Sequence, residues 1–142
     1  MGIAENIHQA SAIPGIPKIA IVSCPADSVT LSAETIGKYD CDLMLRMISV
    51  GQPHRAIPVT GALCTAVAAR IEGTLVHRLT KTRSMTKSIR IAHPSGVSEV
   101  DAEVVRQEDG WHSRSASINR TARRLMDGYV YVATANPNAG KQ

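Results

Sequence analysis

The residues best suited to chemistry fall in one run, SVGQPHRAIPVTGAL at positions 49–63. Ser49 offers a hydroxyl, His54 an imidazole that titrates near neutrality, and Gly51 a point where the chain can turn freely. Thr60, Gly61, Ala62 and Leu63 open a helical pattern. Thr60 reads as the N-cap, while small Gly61 and Ala62 leave the first backbone N–H groups uncovered. Those N–H groups, on Gly61, Ala62 and Leu63, favour an anion, and the helix dipole adds roughly 0.3–1 kcal/mol near a surface. The chemistry expected is carboxylate binding, with Ser49 and His54 donating from the approaching loop. His54 is also the weak candidate for an acid or base. The plainer alternative is that His54 packs on its loop and Thr60 only caps.

Those residues need elements to position them. From Thr60 to Gly73 the run Ala62, Leu63, Cys64, Ala66, Val67, Ala68, Ala69 and Ile71 leaves almost no polar face. A short helix apolar all round is expected to be enclosed by the rest of its domain, too short to span a membrane, with Gly73 as left-handed C-cap. Around it the sequence reads as strands. Residues 18–24 (KIAIVSC) are apolar on both faces, as in a buried strand; residues 28–32 suggest a short strand and 33–40 a polar connection. In residues 42–50 (DLMLRMISV), Leu43, Leu45 and Met47 share a face, delivering the chain to the loop before the helix. Residues 74–80, 87–92, 97–106 and 111–119 alternate with period two. Turn signals stand at His93-Pro94-Ser95-Gly96 and Glu108-Asp109-Gly110, and residues 128–133 (GYVYVA) read as a last strand. His93 is assigned to its turn. The expected organisation is a weakly structured segment 1–17, one domain over 18–133 and a disordered tail 134–142. The expected fold is α+β: a barrel-like, strongly curved, mostly antiparallel sheet wrapped around one central apolar helix.

Composition narrows the function. In 142 residues, 44% are hydrophobic, enough for a real core, but only 3% are aromatic and none is Phe. The charge of +4 would attract nucleic acid, yet no strand offers aromatics to stack bases and no helix is basic along one face, so no nucleic-acid partner is expected. Cys24, Cys41 and Cys64 lack metal or CxxC spacing. They read as reduced thiols of a cytoplasmic protein, Cys64 as a small core hydrophobe, with no metal and no membrane association.

Four runs in order, PKIAIVS, RMISVGQPHRAIPVTGALCTAVAARIEGT, RIAHPSGVSEV and RTARRLMDGYVYV, resemble the C-terminal half of the aconitate and methylitaconate isomerase family, the PrpF proteins. The resemblance implies the diaminopimelate epimerase fold, with two similar lobes and the substrate between them. It implies double-bond shifts in small di- or tricarboxylic acids by proton transfer, without a cofactor. It also implies that the Lys and Cys of proton transfer lie in an N-terminal lobe beyond this sequence. Within this chain, Pro58 stands where the wider fold carries a second catalytic Cys, and His54 where it carries an acid. The segment of Arg120, Arg123 and Arg124 would return towards the other lobe. The expectation is therefore a stand-alone or truncated C-terminal lobe, inactive alone, holding a polycarboxylate and pairing as a homodimer. The alternatives are an active homodimeric isomerase using His54, or a non-catalytic module docking on a separate N-terminal lobe.

Overall fold

A computed structural model describes residues 2–13, 15, 17–82, 84–85 and 87–131. After a one-turn helix α1 (Ile7–Ser11), capped by Asn6, come β1 (Ile19–Ser23), β2 (Ser28–Val29), β3 (Thr35–Ile36) and β4 (Leu43–Ser49). Then follow β5 (Gln52–Pro53), α2 (Val59–Arg70), α3 (Leu75–Leu79), β6 (Ile89–His93), β7 (Gly96–Gln107) and β8 (Gly110–Ile118). Six strands form one curled, half-barrel sheet in the order β1-β4-β6-β7-β8, with β5 folded back on β4; β2 and β3 pair separately. The architecture is α+β.

Each strand that reads clearly in the sequence has one face in the core. Leu43, Leu45 and Met47 alternate inward on β4, Ile89 and Ile91 on β6, and Val100, Ala102 and Val104 on β7. The β6–β7 hairpin turns at His93 and Gly96 as expected, and the β7–β8 hairpin at Gln107 and Gly110. A register shift at Glu103/Val104 bends that long hairpin, as bulges do, and helps the sheet to curl. β4 and β6 are parallel, Leu43 facing Ile91, so the chain between them must cross one face of the sheet, and it does so as α2.

This crossing corrects the picture of an enclosed helix. α2 buries a stripe, Ala62, Thr65, Ala66, Ala69 and Arg70, at helical spacing against β7 and β8, while Val59, Thr60 and Cys64 are exposed. Two polar residues inhabit the stripe because their partners do too. Thr65 Oγ1 donates to the Gly61 carbonyl, and the Arg70 guanidinium donates to the Ser84 and Lys87 carbonyls and to Asp101 Oδ1 at 2.8 Å. Ala-rich helices expose little area on the free side, so apolar composition there did not require burial.

Four further expectations are corrected. Residues 74–80 hold α3, with its caps Thr74 and Thr80, rather than a strand, because Gly73 turns the chain at φ +87° and the Thr74 hydroxyl caps the next turn by accepting from His77 N–H. Among the described residues β1 is an edge strand, paired only with β4, and Ile19 is 58% and Ile21 57% exposed. Within residues 33–40 lies β3, paired with β2. Residues 119–131 carry no strand; 132 and 133, and the tail 134–142, lie outside the described residues. No helix among the described residues is long and apolar enough to cross a membrane.

Candidate functional site

The amino end of α2 begins two residues earlier than the sequence suggests. Pro58, at φ −64° and ψ 143°, is the N-cap, and no side chain caps it; Thr60 is inside the first turn. Proline lacks an N–H and is pre-set for this geometry. The Ala62 N–H already donates to the Pro58 carbonyl at 2.9 Å. By helix geometry the Leu63 N–H is likewise used, so the unbonded donors are those of Val59, Thr60 and Gly61 rather than Gly61, Ala62 and Leu63. No acidic residue stands in the first turn. Gly61 lies close under Met47: a Cβ there would be 2.4 Å from Met47 Cε, the free end of a flexible side chain, which would have to move aside.

Met47 also connects this end to the loop before it. The β4–β5 hairpin turns through Val50 (φ 54°) and Gly51 (φ 69°), with Ser49 facing Gln52, and the His54 N–H then donates to the Met47 carbonyl at 2.7 Å. Met47 thus touches both, its carbonyl bonded to His54 and its side chain beside Gly61. The Nε2 of His54 is buried with no hydrogen-bond partner among the described residues. Ser49 and Gly51 are at the hairpin tip, Ser49 half-buried, and no hydrogen bond links either of them to α2.

A cleft of about 380 Å³ opens beside Val59, lined also by Ile57, His93, Ser98, Asn119 and Arg120. His93 therefore does more than turn a hairpin. It is 7% exposed, its Nδ1 accepts from the Ser95 N–H at 3.2 Å, and its Nε2 is 2.9 Å from Ser98 Oγ. Burial, and after it the charge of Arg46, pull its pKa below the ordinary value of 6.5, so the ring is neutral at physiological pH. Asn119 ties the end of β8 to β7, its N–H and side-chain amide both donating to Glu99, which places Arg120 at the rim. Ser98 was missed by the sequence reading. Its signal was register: residues two apart across the His93–Gly96 turn share a face. Among the described residues no group of His, Cys, Asp or Glu is placed to hold a metal ion.

Away from this cleft, Asp42 and Arg90 form a second polar cluster. Arg90 donates from Nε and Nη2 to the Asp42 carboxylate at 3.1 Å, and Cys41 is fully buried beside it. Burial, with Asp42 next, pushes the Cys41 thiol up, which keeps it protonated and inert. Its location and protonation fit a structural role.

The family model described as PrpF protein matches residues 1–133. The chain belongs to the PrpF family. It is 36% identical over 132 residues to a 2-methyl-aconitate isomerase of Shewanella oneidensis, covering 93% of this chain and 33% of the relative. It is 39% identical over 137 residues to a 3-methylitaconate isomerase of Eubacterium barkeri, covering 95% and 35%. Among solved structures it superposes on a methylitaconate-delta-isomerase with a TM-score of 0.73 at 34% identity, over 96% of this chain and 37% of that one. This PrpF chain thus spans about a third of the length of the curated relatives it matches.

Proposed function

We propose that this chain is a substrate-holding lobe of a PrpF-type isomerase, binding a small di- or tricarboxylate at the amino end of α2 and not moving protons by itself. The observation that carries the reading is the uncapped first turn, where Val59, Thr60 and Gly61 present N–H groups with no acid and no side-chain cap to consume them. Relatives named for methyl-aconitate and methylitaconate supply the class of acid. The groups present support inactivity. Pro58 has nothing to titrate, and both ring nitrogens of His93 are engaged, Nδ1 by the Ser95 N–H and Nε2 by Ser98 Oγ. The Lys and Cys that the family resemblance assigns to proton transfer belong to the other lobe.

A second reading, an active homodimeric isomerase, draws on His54 Nε2, which has no partner among the described residues. Both readings include self-association. Ile19 and Ile21 of β1, with Leu125, Met126, Tyr129, Val130 and Tyr131, are exposed apolar side chains of the kind that partners cover. A non-catalytic module docking on a separate N-terminal lobe would cover the same residues. A cytoplasmic location accords with three cysteines that form no disulfide.

Incubating the chain with cis- and trans-aconitate in deuterated water decides between the two principal readings. The expected result is ligand line broadening with neither deuterium incorporation nor interconversion. Exchange that disappears in His54→Ala would establish the second reading instead.

A further inference from the structure

The His93 cleft holds a set of donors that the helix end does not explain. Because the Ser95 N–H donates to His93 Nδ1, the ring proton is on Nε2, and that N–H donates to Ser98 Oγ. Ser98 then has its own hydroxyl proton to give, and the open side of Ser98 is the cleft. Arg120 is the arginine that lines this cleft, and like Arg46, Arg55, Arg78, Arg106 and Arg123 it has no carboxylate partner among the described residues, so its charge is not already neutralised by a protein acid. The nearest acid in sequence, Asp127, pairs with Arg124, and Glu99 is engaged by Asn119. The cleft lies at the lower end of the volumes typical of small-ligand pockets, about 300–1,000 Å³.

We propose that this cleft is a second carboxylate-binding site, in which the Arg120 guanidinium and the Ser98 hydroxyl, oriented by His93, receive one carboxylate of a polycarboxylate whose other carboxylate meets α2. The proposal rests on the reading of α2 given above. Val59 belongs both to the first turn of α2 and to the cleft wall, so one small ligand reaches both. A two-point site distinguishes polycarboxylates from monocarboxylates.

The test is titration of the full chain and three variants with tricarballylate and, separately, with acetate. Arg120→Gln and Ser98→Ala each weaken tricarballylate binding about 10-fold or more, the usual loss for a charge-assisted hydrogen bond, and weaken acetate binding less, so that the advantage of tricarballylate over acetate shrinks. Thr60→Asp, which puts a negative charge in the first turn, weakens both ligands. Unaltered tricarballylate affinity in both cleft variants, with Thr60→Asp still weakening it, overturns the cleft and leaves α2 standing. The reverse pattern supports the cleft and removes α2. Equal losses for acetate in the cleft variants reduce Arg120 to a general charge effect and overturn the two-point site. No binding of tricarballylate at millimolar concentrations overturns both.

Discussion

Two titratable residues, Asp42 and His93, tie stability to pH. For Asp42, burial opposes the charge, but hydrogen bonds and charge from Arg90 outweigh it and hold the carboxyl below its ordinary 3.8. Its contribution is present above that value and is lost as pH falls through the lower folded value. His93 is depressed below 6.5 by burial, so the unfolded chain takes up the proton first, and stability declines as pH drops below about 6.5. Urea titrations across pH are expected to show two successive losses on acidification, and His93→Gln is expected to abolish the upper one. Removing one partner of a buried ion pair costs about 3–5 kcal/mol. Arg90 is 37% exposed, so Asp42→Asn is expected to cost about 2 kcal/mol in urea, a discount for solvent screening. At this scale the sequence pointed to His54 and to the donors of Gly61. It did not expose Ser98 or the Arg70–Asp101 pair, because neither residue's type is unusual until the chain brings its partner from 31 positions away in one case and across a hairpin in the other.

The elements were legible where one strong pattern acted alone. β4 and the β6–β7–β8 meander alternate cleanly and have a turn signal at each bend, and both formed as read. Where a local cap competed with alternation the cap won, as Thr74 shows at α3. β1 misled for another reason: apolar composition cannot distinguish a strand buried on both faces from an edge strand whose cover is elsewhere. The packing of α2 on the sheet gives two quantitative expectations. Gly61→Val would press a branched side chain on the Met47 methyl, which must move out of its buried place, and is expected to cost about 1 kcal/mol, measured by thermal or urea unfolding. Leu45→Ala, which empties a fully buried place between sheet and helix, is expected to cost about 2–5 kcal/mol by the same measurements.

For the whole molecule, the ordered runs from PKIAIVS to RTARRLMDGYVYV carried the family, and the family carried the curled sheet with its crossing helix. What they did not carry was the exposure of β1 and of residues 125–131, which depends on what lies against them rather than on their own sequence. Sedimentation at tens of micromolar is expected to give a dimer, and a monomer there removes self-association from the account. The central claim concerns the end of α2, and amide mapping of the isotope-labelled chain tests it most directly. On titration with tricarballylate, the account predicts the largest backbone shifts at Val59, Thr60 and Gly61. A saturable response centred elsewhere, with those three amides unmoved, would contradict it.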